Sequence, residues 1–326
     1  MSQTRDVSAQ MSASLADGAD ERSLMAAVAR AHYLQDRSRV DISESLGISR
    51  FKVARLLTRA REEGLVTIDI HDWGLPDVEL GLRLQKKLGL AHCQVVRSHG
   101  DDETVRHQIG AVAARALGET LREDEVLGVT WGRTLTATAS QLQHLPRLSV
   151  VQLTGFVAGD LASSPIEVVR QASQRSGGDV HPIFSPLIVD DADTAQSLRR
   201  HPDIRAAIEL FPAVTTALLS VGAWNPPDSQ IRDVLGIDDL ANALSKGCIG
   251  DIAGILFRED GTLVDPAFQE RCVSIAYEQL QKVPRVVAVA GGAAKADAIR
   301  TVSKAGLITE LFTDHTLAEA ILEEAE

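Results

Sequence analysis

The chain has 326 residues, 44% of them hydrophobic and only 4% aromatic, with a formal net charge of −12. Such a length suggests two domains, and the apolar share excludes disorder as the default and points to a core of Ala, Val, Leu and Ile. Three scattered cysteines (Cys93, Cys248, Cys272) exclude a disulfide framework, no apolar run reaches the roughly 18 residues of a membrane span, and scattered histidines without HExxH-like spacing suggest no metal.

The first 20 residues, MSQTRDVSAQMSASLADGAD, are polar and small and lack the apolar segment of a secretory signal. They are expected to form a disordered tail. The cysteine usage fits a reducing cytoplasm. From Glu21 to Arg61 nine basic residues stand against four acidic ones, net +5, which leaves −17 on the rest of the chain. A local basic field on an acidic protein is the pattern of a DNA-reading module joined to something else.

Glu21 to Asp36 is expected to be a helix with Leu24, Val28, Ala31 and Leu34 as its buried stripe and Tyr33 at the core edge. Ile42 and Leu46 share one face of a short second helix. Gly47 then supplies the positive φ of a turn, and Ser49 suits an N-cap. Val53, Leu56, Leu57 and Ala60 recur at helical spacing and face inward. Arg50, Lys52, Arg55 and Arg59 are left to project outward. With Glu63-Gly64 closing that helix and Leu65 to Ile70 alternating as a strand, residues 21–73 are predicted to be a winged helix-turn-helix with a basic second helix, the shape that enters the DNA major groove. Ser49, Arg50, Lys52, Arg55 and Arg59 are its candidate DNA contacts.

Pro76 marks a boundary, and a helix with Val78, Leu82, Leu84 and Leu88 as its apolar side begins at Asp77, a linker or dimerisation helix over residues 74–90. From Ala91 short apolar runs alternate with helices: strands in AHCQVVR, EVLGVT, LSVVQLTG, DVHPIF, PAVTTALLSVGAW, GCIGDIAGILF, PRVVAVAGG and LITELFT, helices between and after them. That alternation predicts a parallel α/β sheet over residues 91–326, a Rossmann-like domain whose ligand lies at the carboxyl ends of the strands.

Four loops qualify. In Gly128-Val129-Thr130-Trp131-Gly132-Arg133-Thr134 a strand delivers the chain to a helix N-terminus, where free amides favour an anion. Thr130 and Thr134 add hydroxyls and Arg133 a guanidinium fork. The plain alternative is an ordinary βα turn with a threonine cap. In Ala290-Gly291-Gly292-Ala293-Ala294-Lys295 another strand ends in glycines, and Lys295 in the first helical turn opposes the helix dipole unless an anion sits beside it. Gln152 or Thr154 at a third strand end can hydrogen-bond a sugar hydroxyl. Asp251, among the glycines of residues 247–254, can do the same or cap a turn. No GxGxxG, Walker or GxSxG pattern is present.

Taken together, ISESLGISRFKVARLLTRAREEGLVTIDI, GVTWGRTL, VVQLTG, CIGDIAGILFREDG and VVAVAGGAAKADAI followed by LITELFTD resemble the SorC/DeoR-type family of bacterial sugar-binding transcriptional regulators, in order and spacing, from about Glu21 to Leu322. The resemblance implies an effector domain similar to the ribose-phosphate isomerase and glucosamine-phosphate deaminase fold. It also implies a phosphorylated sugar as effector and dimers assembling to tetramers on DNA, a homodimer or homotetramer on its operator. Separately, no cofactor is expected, and the protein is expected in the cytoplasm at the nucleoid. Gly132, Arg133 and Thr134 match the family's phosphate loop, and Gly291, Gly292 and Lys295 its second glycine–lysine loop, with Gln152 and Asp251 on loops lining the same site. Thr154 stands where some members carry a Schiff-base lysine, so no imine is expected, and Phe156 and Ala158 replace a glycine-rich backbone. Two other functions compete: an isomerase- or deaminase-like enzyme with a DNA-binding module, for which Asp251 would be the base, and a DNA-binding protein with an inactive sensor.

Overall fold

The computed structural model describes residues 21–67, 74–157 and 165–323. The chain divides into two compact units, residues 1–71 and 72–326.

In the smaller unit three helices follow one another, α1 (Glu21–Tyr33), α2 (Arg39–Leu46) and α3 (Arg50–Glu62). Their ends carry local signals. Ser38 and Asp41 form a capping box at the start of α2. Gly47 ends α2 with φ 64°, and Ser49 accepts from the Lys52 amide at the start of α3. The core joins Leu24, Met25 and Val28 of α1 to Ile42 of α2 and Val53, Leu56, Leu57 and Ala60 of α3. Tyr33 packs at its edge. Leu34, expected in the buried stripe, lies past the helix end and is 78% exposed, and Met25 and Ala29 are buried in its place. The expected wing strand is not formed over residues 65–67, where Leu65 and Val66 instead pack against the helical core. Residues 68–70, the rest of that strand, lie outside the described residues.

The larger unit begins with residues 74–77 running antiparallel to the first strand, β1 (His92–Val96), through the Asp77 amide to the Val95 carbonyl and the Arg97 amide to the Leu75 carbonyl. Helix α4 (Val78–Leu88) lies between them in sequence. It is built into this unit and does not stand apart as a linker: Leu80, Gly81 and Leu84 are buried, whereas Val78 and Leu82 are 68% and 62% exposed. The expected stripe was therefore displaced around the helix by part of a turn.

The elements that follow are α5 (Asp102–Thr120), β2 (Val126–Val129), α6 (Arg133–Gln141), β3 (Ser149–Gln152), α7 (Pro165–Ser176) and β4 (Val180–His181). Next come α8 (Ala192–Arg200), α9 (Pro202–Ile208), β5 (Thr216–Leu219), β6 (Val221–Trp224) and β7 (Pro227–Asp228). The chain continues through α10 (Gln230–Val234), α11 (Ile237–Ser245), β8 (Cys248–Ile252), β9 (Ile255–Arg258), α12 (Pro266–Glu270) and α13 (Tyr277–Leu280). It closes with β10 (Arg285–Val289), a 3-10 turn (Ala293–Lys295), α14 (Ala296–Lys304), β11 (Glu310–Asp314) and α15 (His315–Leu322).

Seven strands form a parallel sheet in the order β1-β11-β10-β5-β2-β3-β4. Successive residues point to opposite faces, and both faces are covered. Val286 and Ala288 enter one core with Ala217 and Leu219, while Val287 and Val289 enter the other with Leu218 and Leu127. Burial on both sides is why these strands read as unbroken apolar runs.

One expectation fails here. The run PAVTTALLSVGAW is not a single strand. It breaks at Ser220, whose hydroxyl donates to the Trp131 carbonyl at 2.8 Å. Beyond it the chain leaves the parallel sheet and enters a second, antiparallel one of order β7-β6-β8-β9. GCIGDIAGILF likewise is a hairpin of β8 and β9, turning at Ala253-Gly254. Every residue of β5 and β6 is buried, so no change of periodicity marks the break.

Candidate functional site

On the smaller unit, the outward side of α3 carries Arg50 and Arg55 exposed and Lys52 half-buried. None of the three has an ion-pair partner among the described residues. Arg59 behaves differently from the expectation. Its guanidinium is held by Glu21 at 3.0 Å and Glu63 at 2.7 Å. Hydrogen bonding to Arg59 lowers the Glu21 carboxyl below its ordinary value. The last turn of α3 faces the start of α1, so Arg59 ties the helices together before it can reach outward. Ser49 has its hydroxyl engaged at the helix start.

On the larger unit, the strand order reverses between β2 and β5: β3 and β4 continue to one side, β10, β11 and β1 to the other. Adjacent strand ends diverge at such a point and leave a crevice. Here the loops after β2 (Thr130–Gly132) and β10 (Gly291–Gly292), together with Ser220 and the first residues of β6, line a cleft that is partly open to solvent. Asp228 of β7 and the turn after it, Asp251 of β8, the β8–β9 turn, Lys295, and Asp102, Val105 and Arg106 of α5 complete its lining.

The chain is threaded closely at Gly132. Its φ is 150°, and a Cβ there would lie 2.5 Å from the Ser220 hydroxyl. Gly132 also offers α6 no side-chain cap, which leaves the first amides of that helix available to an acceptor in the cleft. Beside them the Thr130 hydroxyl is buried without a hydrogen-bond partner, and Thr134 is buried on the same wall.

Three cations line this cleft; Arg106 is paired with Asp102 of its own helix at 3.2 Å, and the other two meet on one carboxylate. Arg133 forms an ion pair with Asp228. Lys295 stands 3.5 Å from the other Asp228 oxygen and donates to the Val221 carbonyl at 2.7 Å. Burial pushes the Lys295 ammonium below its ordinary value, while Asp228 and Asp251 push it back up. Burial pushes the Asp228 carboxyl up, but Lys295 and Arg133 outweigh it and hold it below the usual carboxylate value. Asp251 is buried at the cleft wall. One of its oxygens accepts from the Trp224 indole at 2.8 Å and from the Ser229 hydroxyl. Burial raises its pKa against those hydrogen bonds.

The cleft thus gathers Thr130, Gly132, Arg133, Thr134, Asp251, Gly291, Gly292 and Lys295. Gln152 and Thr154, expected on the same site, lie outside its lining. The Gln152 amide donates to the Thr154 and Ile183 carbonyls and accepts from the Ile183 amide, so its hydrogen-bonding capacity ties the end of β3 to a neighbouring segment. Thr154 is fully buried and bridged to Ser274. Gln152 ends β3 and Thr154 follows it, one strand beyond the reversal. Of the two glycine-replacing positions, Phe156 pairs with Pro186, and Ala158 lies outside the described residues. Asp228, Ser229 and Ser220 were not anticipated. The turn residues NPPDS were a visible signal of a loop, but nothing local connects Asp228 to Arg133, 95 residues away.

The three cysteines are free and buried, and burial pushes each thiol up to about 12. Among the described residues no helix is long and apolar enough to cross a membrane, and no group of three His, Cys, Asp or Glu is placed to hold a metal ion.

Residues 75–323 match the family described as "Putative sugar-binding domain". The chain is 30% identical over 312 residues to the transcriptional regulator LsrR of Enterobacter sp. (strain 638), covering 93% of each. It is 28% identical over 313 residues to the deoxyribonucleoside regulator of Bacillus subtilis, covering 93% of this chain and 98% of that one. Among solved structures it superimposes on the full-length sorbitol operon regulator SorC from Klebsiella pneumoniae with a TM-score of 0.70 at 23% identity, over 94% of this chain and 100% of that one. The last is a likeness of fold.

Proposed function

The chain belongs to the SorC-type family of sugar-binding transcriptional regulators, and from that premise we propose how its two units divide the work: the larger senses a phosphorylated sugar and the smaller reads operator DNA. It is a sugar-responsive DNA-binding regulator. The observation that carries the sensor half is the meeting of Arg133 and Lys295 on one carboxylate, at an uncapped helix N-terminus beside the unpartnered Thr130 hydroxyl. A site so built suits an anion. Asp228 holds the place of a phosphate group, and an incoming phosphate exchanges with it. The α6 amides, Thr130, Arg133, Thr134 and Lys295 then hold the phosphate, and Asp251 accepts from sugar hydroxyls. Exchange frees the turn that carries Asp228 and the start of α10, which is the proposed origin of the signal.

The DNA half takes residues 21–73 as a winged helix-turn-helix with α3 as recognition helix and Arg50, Lys52 and Arg55 as its contacts. Residues 91–326 with α4 form the effector and oligomerisation domain. Two or four copies place paired recognition helices on half-sites about one DNA turn, or a multiple of it, apart. The protein works in the cytoplasm at the nucleoid. It acts as a sensor and not as a catalyst: its relatives are transcriptional regulators, and the buried carboxylate considered as a base, Asp251, has one oxygen engaged by Ser229 and Trp224.

The test is a thermal-shift series on the full chain with phosphorylated sugars, the same sugars without phosphate, and inorganic phosphate. A ligand at 100 times its Kd stabilises by about 2.7 kcal/mol. At least one sugar phosphate is expected to raise Tm where its parent sugar does not. That compound is then expected to change the affinity of the full chain for a duplex selected from a random library. Equal shifts from phosphorylated and unphosphorylated sugars would remove the phosphate from the proposal, and unchanged DNA affinity would remove the switch.

A further inference from the structure

On the outward side of α3 one side chain differs in kind from its neighbours. Phe51 is 90% exposed, more than any other large apolar side chain among the described residues. It is the second residue of the helix, between Arg50 and Lys52, and Arg55 and Thr58 continue its exposed stripe one and two turns later. The core of the smaller unit is complete without it. A phenyl ring in water amid cations contributes nothing to this fold, and leaving it there forgoes the stabilisation that burial would bring.

The position suggests what covers it. The N-terminal residues of a recognition helix are those that reach base edges. In the major groove the apolar feature on those edges is the C5-methyl of thymine. An apolar tip ringed by Arg50, Lys52 and Arg55 complements a groove floor bordered by phosphates, and fits a hydrophobic protein surface poorly. We propose that Phe51 is a specificity-determining residue that packs on the methyl group of one thymine in each operator half-site. This rests on the DNA-reading role of the smaller unit. The neighbouring cations hold the helix in the groove, and the ring makes one base position selective without a hydrogen bond.

Selection of the full chain against a random duplex library supplies the bound sequence. Each thymine in it is then replaced singly by uracil, which deletes the methyl and keeps base pairing. For the wild type, one position per half-site is expected to lose about fourfold in affinity, the worth of one buried methyl-sized group. Phe51→Ala, which removes the ring at both half-sites, should bind the thymine duplex about sixteenfold more weakly, two such groups at once, and show no thymine–uracil difference at either position. Phe51→Leu should keep part of the difference, and both variants should bind random-sequence DNA like the wild type. A wild type indifferent to uracil everywhere overturns the inference and leaves DNA reading intact. So does a Phe51→Ala variant weakened equally on thymine, uracil and random duplexes, or one whose only change is in self-association, since the ring would then serve the fold or a protein contact. A selection that enriches no sequence overturns DNA reading and this inference together.

Discussion

The two units dispose of positive charge in opposite ways. In the smaller one Arg50, Lys52 and Arg55 lie on the outside of a helix without ion-pair partners among the described residues. In the larger one Arg133 and Lys295 turn into a cleft and converge on Asp228. Outward cations in water are weak individually and strongly screened, and suit a polyanion such as DNA, whose binding is salt-dependent. Inward cations are fixed by hydrogen bonds, partly desolvated and already neutralised, and suit exchange of one small anion for another. A net charge of −12 hides both arrangements.

If the division of labour is real, each half can be removed alone. The largest effect is expected from Leu56→Ala, a fully buried residue of the small helical core. Truncating it costs about 2–5 kcal/mol, enough to unfold a unit of that size. DNA binding should be lost while the thermal shift produced by a sugar phosphate persists in the transition of the larger unit. Loss of that shift as well would break the comparison, because the units would then not be separable.

The converse is Lys295→Met, which removes the buried ammonium and keeps the stem. Hydrogen bonds to charged groups are worth about 1.5–3 kcal/mol, so calorimetry should show sugar-phosphate affinity falling roughly tenfold to hundredfold. DNA affinity without effector should not change. Arg55→Ala is the matching test on the outside. It should weaken operator binding by about 1–3 kcal/mol if Arg55 meets a base edge. If it meets a phosphate instead, binding should fall on all sequences and the salt slope should drop by about one. The transition of the larger unit should stay where it is, and unchanged operator affinity would remove α3 as the reading helix.

The two units also differed in how far they could be read beforehand, for a physical reason. The helices of the smaller one are set by signals within a few residues: Gly47 at positive φ, Ser49 as cap, Val53, Leu56, Leu57 and Ala60 at helical spacing. What escaped was where α1 ends, which leaves Leu34 exposed, the packing of Leu65 and Val66 on the helices in place of a strand over residues 65–67, and the capture of Arg59 by Glu21. In the larger unit the parallel sheet was legible because burial on both faces leaves apolar runs. The antiparallel sheet was not, because β5 and β6 are equally buried and nothing in ALLSVGAW tells one sheet from the other. The cleft was half legible. Gly132, Arg133, Gly292 and Lys295 sit at strand-to-helix turns that announce themselves. Asp228 reaches them only through the fold, and Gln152 and Thr154, one strand away at similar turns, do not.

The smallest effect separates the two uses of charge most directly. Asp228→Asn deletes the internal anion and keeps its shape. The free protein should lose on the order of 1 kcal/mol, since a partly exposed pair adds little, yet it should bind sugar phosphate more tightly by a similar amount, because no carboxylate has to be displaced. The pH dependence fixes the sign. Lys295 and Arg133 hold the Asp228 carboxyl below its ordinary 3.8. A group whose folded pKa is depressed contributes stability that is present above its unfolded value and lost as pH falls through the folded one. The stability difference between wild type and variant should therefore be constant from neutral pH down to about pH 4 and vanish below it. Across pH 5–7 the phosphate itself gains a proton, with a second pKa near 6, and both proteins should weaken in parallel. A variant that binds sugar phosphate more weakly than the wild type across that range would mean that Asp228 grips the effector and does not merely keep its place.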